Sequence, residues 1–198
     1  MAIPVHLKPF PAQKPQNITI IGMPGSGKSS IGKWFMENPV PAARMKQILV
    51  FDTDELMVRA IGRKKFIGLN SREFLILEEQ TALGLRDKIN KCAHSLITTG
   101  GSVIYSEQAM NFLREISFII FLQSSVESLV QRIGWRRLCI RAIVGLEPHV
   151  QSRESAERSF ANLYAARQGI YKKYADAQIS AGGAQIPEIA IEIAKLIS

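Results

Sequence analysis

The residues best suited to chemistry lie near the amino terminus, in a glycine-rich loop between two regular elements. Residues 22–29 read GMPGSGKS and fit the pattern G-x-x-x-x-G-K-[ST]. The β-branched run 17–21 before the loop is typical of a strand, and residues 28–36 after it have helical spacing. In such a loop, backbone N–H groups turn inward around phosphate groups, and the start of the helix adds its positive dipole end. The pattern therefore predicts a nucleotide-binding loop rather than a simple glycine turn.

Two residues of this loop have predicted chemical roles. Lys28 is expected to bridge the outer phosphates of a nucleoside triphosphate, and the Ser29 hydroxyl is expected to bind Mg²⁺. ATP and Mg²⁺ are therefore the predicted cofactors. The other predicted nucleotide-binding residues of this stretch are Gly22, Gly25, Ser26, Gly27 and Ser30.

A pair of carboxylates follows the second predicted strand, residues 48–51. Asp52 and Asp54 flank Thr53, so one can serve the metal while the other meets a second ligand. The plainer alternative is that Asp54 only caps the helix predicted over 55–61. A carboxylate beside a triphosphate is costly unless a metal or a hydroxyl donor satisfies it. A site lined by Asp54 thus favours a hydroxyl acceptor and disfavours a nucleoside monophosphate.

Composition limits the class of protein and the chemistry of its partners. The chain has 198 residues, and its 25 Lys and Arg against 17 Asp and Glu leave a net charge of +8, which favours anionic partners. Cys92 and Cys139 are isolated, which excludes a cysteine-rich zinc site and suits a reducing cytoplasm. No apolar run approaches the roughly 20 residues that span a bilayer. We expect one domain over 17–198, preceded by an extended, poorly ordered lead-in over 1–16.

The elements that must position these residues alternate along the chain. Strands followed by helices at this spacing predict parallel βαβ units, with the sheet covered on both faces and ligands bound beyond the carboxyl ends of the strands. Three strands end in polar or glycine-rich residues: the loop at Gly22, the pair Asp52 and Asp54, and Gly100-Gly101. The remaining predicted strands are 95–99, 118–122 and a weak one at 178–179, and the remaining predicted helices are 71–93, 106–116, 125–133, 153–175 and 187–197.

In order along the chain, these motifs resemble the shikimate kinase family of small P-loop kinases. Beyond the loop and the acidic pair, the resemblance covers nearly the whole chain from Asn17 onward. It continues through Phe74 with Glu78, Gly100-Gly101, residues 125–129 with Arg132, and Arg167 followed by Tyr171.

The resemblance implies an α/β P-loop kinase fold, with a five-stranded parallel sheet and a mobile lid at about 134–150. It also implies ATP- and Mg²⁺-dependent phosphoryl transfer to a hydroxyl of shikimate, giving shikimate 3-phosphate. By position, Asp52 joins Ser29 at the metal, and Asp54 meets the acceptor hydroxyl as its base. The remaining implied roles are backbone amides of Gly100 and Gly101 at the acceptor, Arg132 near the adenine, Arg136 or Arg137 as the lid arginine, and Arg167 at the acceptor carboxylate.

Arginine positions also carry an argument of their own. Arg167 falls on the apolar stripe of its helix, where a buried charge needs an anionic partner. The alternatives are snorkelling of its side chain or a structural ion pair with Asp52, Asp54 or Glu78. For Arg132, Arg136 and Arg137 the alternative is a solvated basic face.

The chain departs from the family pattern in the acceptor site and the lid. The family has a carboxylate-binding arginine directly after the phenylalanine, where this chain has Leu75, which predicts an apolar wall. Arg72 or the basic loop 63–65 are the candidates for compensation. The third glycine after the third predicted strand is Ser102, and the lid is short before its arginine and lacks the following proline.

Three functional hypotheses remain open from these residues. The first is a kinase of a small, anionic, hydroxylated acceptor, with shikimate as the best guess. The second is a divergent kinase of another polyol or sugar acid, and the third is a catalytically weak nucleotide-binding regulatory module. We predict a cytoplasmic monomer that binds neither membranes nor nucleic acid, since few aromatic residues accompany the arginines.

Overall fold

A mixed six-stranded sheet forms the centre of the molecule. The computed structural model describes residues 3–8, 16–38, 48–89, 94–140, 143–146 and 152–197. The strand order is β1-β6-β5-β2-β4-β3. The strands are β1 (Val5–Leu7), β2 (Asn17–Ile21), β3 (Leu49–Asp52), β4 (Ser95–Thr98), β5 (Phe118–Gln123) and β6 (Ala177–Ser180).

Strands β2 to β6 are parallel to one another, as expected for βαβ units. Strand β1 was not predicted from the sequence. Val5–Leu7 pairs antiparallel with β6, with His6 opposite Gln178, so part of the expected lead-in over 1–16 belongs to the sheet. Its three residues lie among prolines, and only pairing with a distant strand defines them as a strand.

The helices cover both faces of this sheet. Along β5, Ile119 and Phe121 pack into one apolar cluster while Phe118, Ile120 and Leu122 pack into the other. This alternation buries the strand on both sides, as its uninterrupted apolar sequence requires. The helices are α1 (Lys28–Glu37), α2 (Thr53–Ile61), α3 (Arg63–Ile67), α4 (Ser71–Leu83), α5 (Arg86–Ile89), α6 (Glu107–Ile116), α7 (Val126–Ile133), α8 (Trp135–Ile140), α9 (Arg153–Tyr174) and α10 (Ile186–Ile197), with a 3₁₀ turn at Val103–Tyr105.

Two helix boundaries differ from the sequence prediction. The helix expected over 71–93 ends at Leu83, because Gly84 caps it with its N–H on the Gln80 carbonyl, and α5 follows. Residues 90–93 lie outside the described part. Helix α2 begins two residues earlier than predicted, and its cap is Asp52 rather than Asp54, since Asp52 Oδ1 accepts from the Glu55 N–H at 3.1 Å.

The predicted lid is described in part. Residues 135–140 form α8, which had no periodic signal, and α8 packs against α7 and α9. Residues 143–146 form a turn, whereas 141–142 and 147–150 lie outside the described residues. Within the described residues, no helix is both long enough and apolar enough to cross a membrane.

Candidate active site

A cavity of about 1010 Å³ opens at the carboxyl ends of the parallel strands. Its wall joins the glycine-rich loop, Asp54, the segment 99–102, one face of α3 and α4, and parts of α7, α9 and the lid. Residues 183–186, which lead into α10, complete it. This is the edge of the sheet where the alternation of strands and helices predicts ligand binding.

The glycine-rich loop has the backbone shape that its sequence predicts. Gly25 and Gly27 have φ values of 82° and 102°, a region that side chains other than glycine rarely adopt. Gly27 is the N-cap of α1, so the loop leads directly into a helix N-terminus. Gly25 and Gly27 line the cavity, whereas Gly22 is buried behind them.

Lys28 is buried at the base of this loop and holds its shape. Its Nζ donates to the carbonyls of Gly22 at 2.8 Å and Met23 at 2.9 Å, and to Ser26 Oγ at 3.4 Å. Ser26 is buried and does not line the cavity. The ammonium group of Lys28 is therefore surrounded by carbonyls of its own loop, at the part of the cavity where the sequence predicts phosphates.

The other residues that the sequence predicts to bind the nucleotide or its metal fall into two groups. Ser29 and Ser30 are exposed and line the cavity, as predicted for ligand-binding hydroxyls. Arg132 also lines it, and its guanidinium donates to the carbonyls of Ser26 at 3.4 Å and Ala181 at 3.2 Å. Arg132 thus links α7 to the loop and to the end of β6.

The structure separates the two carboxylates of the acidic pair. Asp54 lines the cavity, but Asp52 does not. Besides capping α2, Asp52 accepts from Thr98 Oγ1 at 3.0 Å through Oδ2, so both its oxygens already have partners within the protein. Asp52 is therefore less available to a metal than the sequence prediction assumes.

An ATP–Mg²⁺ complex fits the donors on this side of the cavity. Gly25 and Gly27 line the cavity with left-handed backbone, and Ser29 lines it at the start of α1. The described residues contain no cluster of three or more His, Cys, Asp or Glu side chains. Mg²⁺ needs few protein ligands in such sites, because substrate phosphates and water supply most of its ligands.

Gly100 and Gly101 connect the acidic residues to the loop. A Cβ on Gly100 would lie 2.1 Å from Glu78 Oε1 and 2.9 Å from Asp54 Oδ1, so only glycine fits between these carboxylates. The Gly100 N–H donates to Thr53 Oγ1 at 3.1 Å, and this amide is engaged within the protein rather than presented to an acceptor as predicted. Gly101 packs against Pro24 of the loop, where a Cβ would approach Pro24 Cδ to 2.7 Å.

Glu78 is a residue of this site that the sequence analysis did not assign. It is 1% exposed, its Oε2 accepts from Ser102 Oγ at 2.7 Å, and its Oε1 has no hydrogen-bond partner in the described structure. Burial raises the pKa of Glu78 to about 7, an effect that Asp54 reinforces and that Ser102 and Arg167 oppose. The available signal was its spacing, since Glu78 lies four residues after Phe74 and four before the buried Ala82.

Ser102, a departure from the family pattern, has a defined role. Its φ of −101° is open to any residue, so the chain does not need glycine there. Its hydroxyl is the hydrogen-bond donor to Glu78 and also lines the cavity. The chain thus carries a serine hydroxyl beside the carboxylate where glycine would leave none.

Arg167 is fully buried on α9 and lines the opposite side of the cavity. Its Nε donates to Tyr105 Oη at 3.1 Å and its Nη2 to the Val144 carbonyl at 2.6 Å. It makes no salt bridge with a described carboxylate, so neither a structural ion pair nor snorkelling to solvent accounts for its burial. Its Nη1 has no hydrogen-bond partner among the described residues.

The two candidate lid arginines have different surroundings. Arg137 lines the cavity, whereas Arg136 does not and lies over the Trp135 ring at 5.6 Å. Both side chains are exposed. The geometry therefore favours Arg137 for a role at the phosphates.

None of the proposed substitutes for the missing arginine reaches the cavity. Arg72 and residues 63–65 are exposed and absent from its wall, and Leu75 does not line it either. The apolar wall instead comes from Phe66, Ile67, Leu69 and Phe74. The expectation that Leu75 forms an apolar wall of the acceptor site is therefore wrong for this cavity.

Comparisons with known proteins agree with this geometry. A family model described as shikimate kinase matches residues 24–198. A shikimate kinase of Xylella fastidiosa is 29% identical over 165 residues, covering 81% of this chain and 79% of the relative. A shikimate kinase of Moorella thermoacetica is 27% identical over 181 residues, covering 90% and 92%. A solved shikimate kinase of Acinetobacter baumannii, in complex with shikimate, superposes with a TM-score of 0.66 at 20% identity, covering 92% and 93%, and thereby supports the fold.

Proposed function

We propose that this chain, which belongs to the shikimate kinase family, transfers the γ-phosphoryl group of ATP to a hydroxyl group of shikimate, giving shikimate 3-phosphate. The observation that carries the proposal is the shared cavity. It brings the phosphate loop, the carboxylate of Asp54 and the buried guanidinium of Arg167 to one space. A polyhydroxylated carboxylic acid needs these three features if one of its hydroxyls is to be phosphorylated.

The nucleotide half of the cavity holds and polarises the phosphates. Lys28 and the loop amides would neutralise the charge on the outer phosphates as the phosphoryl group moves. Mg²⁺ supplies further charge neutralisation when bound, and Ser29 would hold it, with Asp52 as a nearby negative charge at the end of β3. Arg137 is the lid arginine of the proposal, because it lines the cavity and Arg136 does not.

The acceptor half selects a hydroxyl and orients it. Asp54 accepts the proton of the attacking hydroxyl, in the role of a positioned general base. Arg167 binds the carboxylate at the other end of the acceptor through its unpaired Nη1. The Asp54 carboxylate makes this half unfavourable for a phosphate acceptor, since like charges repel strongly at a partly buried site.

The test is ADP release from Mg·ATP, with and without shikimate, in the wild type, Asp54→Asn and Asp87→Asn. Asp87 is an exposed carboxylate on α5, so its variant is a control for charge removal. We expect shikimate-dependent turnover in the wild type and in Asp87→Asn, and a loss of about a hundredfold or more in Asp54→Asn. Tight ATP binding without shikimate-dependent turnover would contradict the proposal.

The remaining functional statements follow from chemistry and composition. Neither alternative, a divergent kinase of another polyol nor a weak regulatory module, is favoured by the similarities described above. We also propose that the enzyme acts as a cytoplasmic monomer with a small-molecule acceptor, in keeping with its two isolated cysteines.

A further inference from the structure

Recognition of the acceptor's carboxylate falls to very few cations in this cavity. The described lining includes four basic side chains, Lys28, Arg132, Arg137 and Arg167. The first two are bonded to the phosphate loop, and Arg137 lies on the lid helix α8. Of these four, Arg167 is thus the basic residue held neither by the phosphate loop nor on the lid helix, and Leu75 supplies no second charge.

A single arginine recognises a carboxylate well only if its guanidinium is held in one orientation. An unrestrained arginine side chain loses rotamer entropy when it is fixed, and that loss weakens binding. Where a second cation also binds the carboxylate, its contribution offsets part of this entropy loss. Here the protein must hold Arg167 in place before the acceptor arrives.

Tyr105 holds Arg167 in two ways. Its hydroxyl oxygen accepts from Nε at 3.1 Å, and its ring lies beneath the guanidinium, 5.0 Å from the ring centre to Cζ. The Val144 carbonyl holds Nη2 from another direction. Tyr105 and Val144 use one N–H group on Nε and one on Nη2, and Nη1 makes no hydrogen bond to a described residue, so Nη1 is the group available to a ligand.

We infer that Tyr105 is a positioning residue for recognition of the acceptor's carboxylate. It holds Arg167 in the orientation in which this single arginine binds the carboxylate without a second arginine. This inference rests on the proposed function. Tyr105 does not line the cavity and is 42% exposed, so it acts through Arg167 rather than on the acceptor itself. It lies 62 residues from Arg167 in sequence, in the 3₁₀ turn that follows Ser102.

The matched variants are Tyr105→Phe and Tyr164→Phe, which remove the same hydroxyl from two tyrosines. Tyr164 also accepts a hydrogen bond, from Gln168 Nε2 at 3.1 Å, and it lies on the same helix as Arg167 but away from the cavity. We expect Tyr105→Phe to raise the KM for shikimate about tenfold, the effect of one lost hydrogen bond to a charged group. We expect the KM for ATP and kcat to stay within about twofold, and Tyr164→Phe to match the wild type.

A larger change and an altered acceptor separate positioning from a merely structural effect. Tyr105→Leu removes the ring as well and should raise the KM for shikimate about thirtyfold, because the cation–π contact is also lost. With the methyl ester of shikimate, whose carboxylate charge is gone, Tyr105→Phe should have the same KM as the wild type. If Tyr105→Leu does not fold, Tyr105→Phe and the ester still decide.

Three results would overturn the inference, and they are distinguishable. A KM for shikimate in Tyr105→Phe equal to that in Tyr164→Phe would overturn it while leaving the proposed function intact. An equal rise in KM for shikimate and its methyl ester would do the same, because Tyr105 would then act on the fold rather than on carboxylate recognition. A wild type that does not phosphorylate shikimate would remove the proposed function and this inference with it.

Discussion

The two halves of the cavity are built differently, although they serve one reaction. The nucleotide half comes mainly from one contiguous stretch, residues 22–30, with its shape set by backbone torsions and by Lys28 bonded to its own loop. The acceptor half comes from α2, α4, the segment 99–102 and α9, and its contacts join residues far apart in sequence. The first half depends on local structure, and the second depends on packing of the whole domain.

This difference shows where a kinase of this kind can vary. In the nucleotide half, a substitution meets forbidden torsions, as at Gly25 and Gly27. In the acceptor half, the chain carries Ser102 where the family pattern has glycine, while Leu75, at the position of the family's arginine, does not line the cavity. Ser102 donates to Glu78, and Arg167 relies on Tyr105 and Val144.

The largest effect should come from Lys28→Ala, which breaks the nucleotide half alone. The variant removes the buried ammonium that holds the loop and faces the phosphates, so kcat should fall at least about a thousandfold. Shikimate binding, measured directly by calorimetry, should remain within a few-fold of the wild type. The control is Lys33→Ala on the same helix, whose exposed ammonium pairs with Glu37. Full phosphoryl transfer in Lys28→Ala would show that the loop does not have the assigned role.

Arg137→Ala and Arg136→Ala should differ strongly although the two residues are adjacent. Arg137 lines the cavity, so its loss should lower kcat about three-hundredfold through lost stabilisation of the transferring phosphoryl group. Arg136 lies over Trp135, and its loss should leave kcat nearly unchanged. Steady-state kinetics of the two variants decide the assignment, and the reverse pattern would give the lid role to Arg136.

Glu78→Gln should change how stability depends on pH, because the acceptor half contains a buried, protonatable carboxylate. In the folded protein its pKa is raised from 4.5 to about 7. Below pH 4.5 both states hold the proton, and the favourable contribution is fully present. Between pH 4.5 and 7 only the folded state keeps the proton, so this contribution falls by about 3 kcal/mol as pH rises and is gone above pH 7.

Urea unfolding of wild type and Glu78→Gln at pH 5 and pH 8 checks this expectation. The free energy of unfolding of Glu78→Gln minus that of the wild type should be about 3 kcal/mol larger at pH 8 than at pH 5, because glutamine does not ionise. Glu79→Gln is the matched control. Glu79 lies on the same helix as Glu78, and its carboxylate also accepts a hydrogen bond from a serine hydroxyl, that of Ser106. A difference between variant and wild type that is independent of pH would contradict the assignment.

Much of the fold follows from local patterns in the sequence. The parallel strands are short apolar runs, and the glycine-rich loop has a spacing that serves one known geometry. Arg167 was also identifiable, because a charge on an apolar helical stripe requires a partner.

The rest depends on contacts that no local pattern encodes. The partners of Arg167 are Tyr105 and the Val144 carbonyl, 62 and 23 residues away, and neither has a sequence signal as a guanidinium ligand. The capping role of Asp52 rather than Asp54 depends on where the helix begins, which differs from the prediction by two residues. The break at Gly84 was missed because an isolated glycine is tolerated inside many helices.

The smallest effect should come from disrupting β1, the strand that was not predicted from the sequence. This disruption tests whether the edge of the sheet formed by β1 supports either half of the cavity. Strand β1 adds three residues to β6 at the far edge from β3 and lies outside the cavity wall. His6→Pro removes the backbone donor at its centre and should lower the free energy of unfolding by about 1–2 kcal/mol. His6→Ala keeps that donor and is the control. Because the residues assigned to the reaction follow β2, β3 and β4 or lie on α7, α8 and α9, the KM values for ATP and shikimate should stay within about twofold. A rise in either KM in His6→Pro, at equal folded fraction, would show that the β1 edge supports the cavity across the sheet.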